Sequence, residues 1–194
     1  MSSTEHIKAL REKTGAGVVE VKKALDEADG DETRAVEILR KRGQEKALKR
    51  GDREAHEGII ATYIHSNNRI GALVKLFCET DFVARNEEFR DLGRDIAMHV
   101  AALTPQYVKP TDVPEALVET ERNLWRAQLM AEGKPAEMMD KIMLGKEEKF
   151  RRDISLLTQA FVKDPDKTVG ELIAEKVHKI GENIQVGGFV RYEI

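Results

Sequence analysis

Residues 58 to 78 read GIIATYIHSNNRIGALVKLFC, and this stretch decides the fold class. Two runs rich in β-branched and aromatic residues, Gly58 to His65 and Ile70 to Cys78, flank Ser66-Asn67-Asn68-Arg69, whose residue types are typical of turns. The pattern predicts a β-hairpin. Because the segments before and after it carry helical periodicity, the chain as a whole is predicted to be an α+β protein.

Apolar residues recur at helical spacing in three short segments before the hairpin. Thr14-Gly15-Ala16-Gly17 separates the first from the second, and Asp29-Gly30 separates the second from the third, which Asp31 is placed to cap. Helices shorter than about 12 residues are marginal in water, so these three must pack on one another. We therefore predict a three-helix N-terminal domain over residues 1–43, with Gly43 ending the third helix.

The segments after the hairpin are also mainly helical. The spacing from Phe89 to Val100 predicts a helix, and the prolines at 105, 110 and 114 mark a loop after it. Three further helices and a final strand are predicted at 115–132, 135–154, 169–179 and 183–194. Gly187-Gly188 should bend or bulge that strand. Residues 58–194 thus form an α+β core domain, in which helices cover a small antiparallel sheet.

The composition excludes several classes of protein. The 32 basic and 35 acidic residues nearly cancel, to a net charge of -3, which gives no reason to expect a nucleic-acid partner. No secretory leader and no apolar run of about 18 residues is present, so neither secretion nor a membrane span is predicted. Cys78 is the single cysteine and cannot close an intramolecular disulfide. A soluble, cytoplasmic protein is expected.

Residues 40–53 form a basic segment, with seven basic and two acidic residues, and residues 44–57 are predicted to be a basic linker. Two interpretations remain open. The segment could contact phosphates or an acidic surface, or it could be a helical linker whose charges face water.

The familiar signatures of enzymes fail on inspection. Gly15-Ala16-Gly17-Val18-Val19-Glu20 follows a helix and has glutamate where a dinucleotide-binding loop needs a small residue. His56-Glu57 begins like a zinc-protease motif, but Ile60 stands where the second histidine is required. No phosphate-binding loop is present, and the histidines do not cluster, His99 being interpreted as a packed or surface residue. No catalytic residue, metal site, cofactor or direct nucleotide binding is predicted.

One segment, Cys78 to Phe89, lies where a strand should end and a helix begin. In one interpretation Thr80 or Asp81 caps the helix, Asn86 is a second cap, and Phe82 and Val83 pack inward. In the other, the aromatic side chain of Phe82 stands off the surface and anchors a partner. Composition alone does not choose between them.

Ordered motifs along nearly the whole chain resemble the elongation factor Ts family. They are Leu10 to Gly17 with Val21 to Leu25, Thr80 to Asn86, Ala97 to Ala101, Gly133 to Pro135, Phe161 to Lys163, and Lys179 to Ile184. The resemblance implies that the N-terminal domain is similar to ubiquitin-associated domains. It also implies a guanine nucleotide exchange factor, not an enzyme, that promotes GDP release and GTP reloading on elongation factor Tu in its GDP-bound and nucleotide-free states.

The same resemblance implies the contact residues. Asp81 and Phe82 would approach the Mg²⁺ and phosphate region of the GTPase domain, with Phe82 acting as a wedge, and the turn from Thr14 to Val19 would dock on the same domain. The implied partner-binding residues are Thr14, Gly15, Ala16, Gly17, Val18, Val19, Thr80, Asp81, Phe82, Val83 and Arg85. Longer family members carry two related core halves and this chain has room for one, so we expect a homodimer.

Three other functions stay open at this point. A ubiquitin-associated-type adaptor would bind helices or peptides through the first domain and would not need Asp81 or Phe82. A hydrolytic enzyme would need a nucleophile and a base, which the sequence does not offer. Ribosome or RNA binding through residues 40–53 would depend strongly on salt.

Overall fold

The computed structural model describes residues 4–194, and its elements alternate as the sequence predicts. In chain order they are α1 Thr4–Thr14, α2 Val18–Glu27, α3 Glu32–Arg50, β1 Glu57–Ile64, β2 Ile70–Cys78, α4 Asp81–Arg85, α5 Glu87–Leu103, α6 Glu115–Ala131, α7 Ala136–Asp153, β3 Ala160–Phe161, β4 Asp164–Thr168, α8 Val169–Ile180 and β5 Gln185–Glu193. Short 3-10 turns lie at Pro110–Asp112 and Leu156–Thr158. The α+β class is confirmed.

The first three helices bury one small core. Its members are Leu10, Ala16, Val21, Ala24, Leu25, Ala28, Ala35 and Leu39. Asp31 caps α3 as predicted, because its side chain accepts a hydrogen bond of 3.1 Å from the amide of Arg34. The helical bundle predicted at the N-terminus is therefore present.

The prediction that Gly43 ends the third helix is wrong, since α3 continues to Arg50. Gly43 is buried and faces the side chain of His178 on α8. An interior glycine costs a helix only about 1 kcal/mol, so this packing outweighs its weak propensity. The first half of the segment predicted as a basic linker, residues 44–50, thus belongs to α3, while the division into domains at residues 43 and 58 stays a prediction.

The hairpin forms as predicted and joins the C-terminal strand. β1, β2 and β5 make a three-stranded sheet in the order β1-β2-β5, with both pairs antiparallel. Lys75 pairs with Gly188 and Leu76 with Val186, which leaves Gly187 as an extra residue. This is the predicted bulge. A Cβ on Gly187 would lie 2.2 Å from the Phe77 ring, so only glycine fits there.

The inner face of the sheet packs against α5 and α8 and forms the main core. Its largest fully buried side chains include Phe89, Leu92 and Ile96 of α5 and Leu76 of β2. The helical spacing from Phe89 to Val100 predicted the buried face of α5.

The small β3–β4 sheet was not predicted. Its second strand reads Asp-Pro-Asp-Lys-Thr, which has none of the apolar alternation by which strands are recognised. His99, fully buried on α5, holds the connection between β3 and β4. Its Nδ1 accepts from the amide of Val162 at 3.2 Å, and its Nε2 lies 3.0 Å from Gln159 Oε1.

Helices α6 and α7 form an antiparallel hairpin. Arg122 and Arg151 both bond the carboxylate of Glu147, and the Trp125 and Phe150 rings meet edge to face at 5.7 Å. Within residues 4–194, no helix combines the length and apolar character that crossing a bilayer requires.

Candidate partner-binding site

The segment after β2 forms two consecutive capped helices. Thr80 begins α4, its hydroxyl accepting from the amide of Val83 at 3.4 Å. Asn86 ends α4 and also begins α5, since its side chain accepts from the amide of Glu88 at 2.8 Å. Both caps foreseen in the sequence exist, and they divide the expected single helix into a five-residue helix and a long one.

Phe82 does not pack inward. Its side chain is 81% exposed, whereas Ala84 is buried and Val83 lies partly buried against the main core. The short helix therefore turns its small residues to the core and its largest side chain to the solvent. An exposed phenylalanine on a capped turn is the arrangement expected of an anchor for a partner's pocket.

The charged residues of α4 pair with each other. Asp81 Oδ2 lies 3.0 Å from the Arg85 guanidinium, one helical turn away, and both side chains are well exposed. An exposed pair of this kind contributes at most about 1 kcal/mol, so either charge can turn to a partner at little cost.

A second segment, residues 182–183, holds the turn before Phe82 in place. The carboxylate of Glu182 accepts from the amides of Glu79 and Thr80, both at 3.1 Å, and from the Thr80 hydroxyl at 2.7 Å. In return, Glu79 Oε1 accepts from the Asn183 amide at 2.6 Å. The sequence motif Lys179 to Ile184 contains these residues, but nothing in the sequence indicated that they bind the Thr80 turn.

The N-terminal turn is the other predicted contact region. Gly15 has φ of +67°, a left-handed conformation that favours glycine, and Ala16 is buried beneath it. Gly17 begins α2, while the Thr14 hydroxyl donates to Leu10 O at 2.7 Å. The next two side chains are exposed: Val18 by 51% and Val19 by 67%. The turn therefore presents two neighbouring apolar side chains to solvent.

Helix α8 connects the two regions. A Cβ on Gly15 would lie 2.9 Å from Lys179 Cδ, so the N-terminal turn rests directly on this lysine. Lys179 and Lys176 both donate to Glu88 Oε1 at 2.6 Å, at the start of α5. Burial alone would raise the pKa of Glu88, but the two lysines hold it below its usual value. Helix α8 thus contacts both the N-terminal turn, through Lys179 and Gly15, and the start of α5, which directly follows α4.

The basic segment 40–53 is largely paired within the molecule. Arg40 binds Glu171 at 2.6 Å, Lys46 binds Glu20, and the Arg50 guanidinium donates to Val177 O at 2.8 Å. All three side chains therefore have partners within the molecule, although Arg40 and Lys46 also remain partly exposed to solvent. They fasten α3 to α2 and α8.

The Cys78 thiol near the turn is poorly suited to nucleophilic chemistry. Cys78 is fully buried, and burial, with a smaller contribution from the Glu182 carboxylate, raises its thiol pKa to about 11, so the thiol stays protonated at neutral pH. In the part of the chain that the structure describes, no three His, Cys, Asp or Glu side chains come together as a set that could hold a metal ion.

Comparison with known proteins identifies the family. The family profile described as Elongation factor TS matches residues 6–194. An elongation factor Ts of Carboxydothermus hydrogenoformans is 50% identical over 194 residues, 100% of this chain and 89% of the relative. That of Thermosipho melanesiensis is 52% identical over 194 residues, covering 100% of this chain and 99% of the relative.

A third relative, from Acetivibrio thermocellus, is 51% identical over 193 residues, which are 100% of this chain and 90% of that protein. Identities at this level over whole chains extend the resemblance from the motifs to the complete fold. The chain belongs to the elongation factor Ts family of translation elongation factors.

Proposed function

We propose that this protein is a guanine nucleotide exchange factor for elongation factor Tu, which promotes GDP release and so allows GTP to reload. The observation that carries the proposal is Phe82, an 81% exposed aromatic side chain on a doubly capped turn. Burial of such a side chain in a partner's pocket would contribute about 1.5 to 3 kcal/mol to binding. Membership of the elongation factor Ts family supports elongation factor Tu as that partner.

In the proposed mechanism the chain binds the GTPase and not the nucleotide. Phe82 enters between elements of the GTPase domain and moves them, while Asp81 lies near the Mg²⁺ and phosphate region. Thr80, Val83 and Arg85 complete the contact around them. The protein needs no cofactor and no covalent step, because exchange only requires a conformation of the GTPase that holds GDP poorly.

The energetics require more than one contact. A nanomolar GDP complex corresponds to about 12 kcal/mol, and burial of one phenylalanine supplies only about 1.5 to 3 kcal/mol. We therefore assign a second contact to the turn of Thr14, Gly15, Ala16, Gly17, Val18 and Val19. By linkage, if this protein lowers the affinity of the GTPase for GDP by some factor, GDP lowers the affinity of the GTPase for this protein by the same factor. Rebinding of a nucleotide therefore releases this protein from the GTPase.

The outer face of the sheet is proposed to bind a second copy of the chain. It carries a row of exposed apolar side chains: Ile60, Ile64, Leu73, Val190 and Tyr192. The strand register aligns them, since Leu73 pairs with Val190, and Tyr192 pairs with Gly71, which itself pairs with Ile64. A self-complementary apolar face is covered most simply by the same face of another copy.

The proposed setting is the cytoplasm, with a protein partner and no nucleic acid. The internal pairing of Arg40, Lys46 and Arg50 supports this, because it leaves few free cations in α3 to neutralise phosphates.

The deciding experiment measures release of a fluorescent GDP analogue from elongation factor Tu by stopped flow, with and without this protein. Acceleration that saturates with protein concentration is expected. Release at the intrinsic rate throughout the titration would contradict the proposal.

A further inference from the structure

Residues 79–80 and residues 182–183 are far apart in sequence but hydrogen-bond to each other beside Phe82. Glu182 accepts hydrogen bonds from the amides of Glu79 and Thr80, and Glu79 Oε1 accepts from the amide of Asn183. The side chain of Asn183 also donates to Arg53 O at 2.6 Å, so residues 182–183 are also bonded to the segment that leads into β1. Each carboxylate thus binds the backbone of the other segment.

The Thr80 hydroxyl connects Glu182 to α4. A hydroxyl has one proton to donate, and here it donates to Glu182 Oε1 at 2.7 Å. Its oxygen is then left to accept from the Val83 amide, which is the capping bond of α4. Glu182 therefore fixes the orientation of the group that begins the helix.

Helix α4 depends on such external supports. It has five residues, and so short a helix has no stability of its own in water. Ala84 and Val83 attach one side of it to the core. Its first turn, where Phe82 lies, is held by the hydrogen bond between the Val83 amide and the Thr80 hydroxyl. Thr80 is in turn held by its hydrogen bonds to Glu182.

We propose that Glu182 is a positioning residue for Phe82: its carboxylate holds the backbone of the Thr80 turn, so that the Phe82 side chain leaves α4 at one fixed place and in one fixed direction. The inference rests on the proposed exchange function, in which Phe82 enters the GTPase. A turn whose backbone is already ordered loses less conformational freedom when Phe82 binds, and the saved free energy accelerates exchange. Glu182 itself touches neither the GTPase nor the nucleotide.

The chemistry of the site explains why a carboxylate is required. All three groups that face Glu182 are donors, and an ionised carboxylate offers only acceptors. In Glu182→Gln the side-chain oxygen could keep the two backbone N–H bonds, but the NH₂ group would then face the Thr80 hydroxyl and could not accept its proton. Gly181, with φ of +93°, ends α8 and turns the chain so that Glu182 follows immediately.

The test compares Glu182→Gln with Asp112→Asn as a matched control. Asp112 also accepts from a backbone amide, that of Lys109 at 2.9 Å, but in a 3-10 turn that belongs to another part of the fold. Backbone amide hydrogen exchange of residues 79–85 is measured first, without any GTPase. Glu182→Gln should speed exchange at Thr80 and Val83 by about tenfold, as expected for the loss of a charge-assisted bond, and Asp112→Asn should not.

Stimulated GDP release is then measured for the wild type, Glu182→Gln, Phe82→Ala and the double variant. Glu182→Gln should lower the saturating release rate by about tenfold in the wild-type background and have no further effect in the Phe82→Ala background. Equal effects of Glu182→Gln in both backgrounds would overturn the proposal, as would unchanged hydrogen exchange. A wild type that does not stimulate release would refute the exchange function, and hydrogen exchange would still decide whether Glu182 orders the turn.

Discussion

Glu20 Oε2 lies 3.1 Å from His178 Nε2, so the helix that begins at the N-terminal turn is bonded directly to the helix that supports the Phe82 turn. Lys46 of α3 binds the other oxygen of the same carboxylate. Burial alone would raise the pKa of Glu20, but the Lys46 hydrogen bond and the nearby His178 hold it below its usual value. Three helices therefore meet at one ionised carboxylate.

This contact predicts that acid weakens the fold. Burial lowers the pKa of His178, Lys46 and Arg50 lower it further, and Glu20 opposes them only in part. Among residues 4–194, no group hydrogen-bonds the buried Nδ1 of His178, so protonation would leave an N–H there unsatisfied. Because the unfolded histidine binds a proton more readily than the folded one, the free energy of unfolding should fall as pH drops below about 6.5.

Thermal unfolding of the wild type and His178→Gln between pH 7.5 and 5.5 measures this effect. Glutamine keeps a donor for Glu20 and does not titrate, so its melting temperature should fall less than that of the wild type. Buried His99, whose pKa burial also lowers, accounts for part of the remaining fall. His56→Gln, at an exposed position, should leave the wild-type profile unchanged, and identical profiles for wild type and His178→Gln would contradict the assignment.

Phe82→Ala should reduce stimulated GDP release by tenfold or more and leave the melting temperature unchanged. The reason is that the side chain is exposed and loses little packing when truncated, while about 1.5 to 3 kcal/mol of burial in the partner is removed. Stopped-flow release of a fluorescent GDP analogue measures the rate. Leu144→Ala, an exposed apolar residue on α7, is the control and should behave as wild type. Wild-type stimulation by Phe82→Ala would exclude the wedge.

Val19→Ser should weaken the second contact. Val19 is exposed and contributes nothing to the N-terminal core, so the helical bundle should unfold at the wild-type temperature. Loss of its apolar surface should raise the concentration that gives half-maximal GDP release several-fold, because roughly 1 kcal/mol of binding is lost. A titration of release rate against protein concentration separates this from a change in the saturating rate. Lys22→Ser, also exposed on α2, is the control, and an unchanged titration for Val19→Ser would remove this turn from the interface.

Tyr192→Glu should convert the proposed dimer into a monomer. A carboxylate on this apolar sheet face would have to be buried without a partner in the dimer, which is costly. Light scattering at micromolar concentration should give twice the chain mass of 21.9 kDa for the wild type and the single-chain mass for the variant. Leu144→Glu, away from the sheet, should remain dimeric. A wild type that stays at the single-chain mass would refute the sheet-face dimer.

Local patterns predicted most of the elements, since each depends on neighbours in sequence. The β-branched and aromatic residues of 58–78, with turn residues between the two runs, predicted β1 and β2, and Gly187-Gly188 predicted the bulge in β5. The Thr80 and Asn86 caps were both foreseen, although only the structure shows that they begin two separate helices. The full length of α3 was missed because Gly43 reads as a helix end until α8 is packed against it.

The sequence by itself determined the α+β class, the hairpin and the family motif that contains Phe82, because periodicity, turn chemistry and motifs are properties of short stretches. It left open whether Phe82 packs inward or faces solvent. Only the tertiary structure decided that, and it also revealed Glu182, because hydrogen bonds between residues about a hundred positions apart leave no local pattern. The position of the turn that carries Phe82 depends on which distant groups bond to it, and only the folded chain brings those groups there.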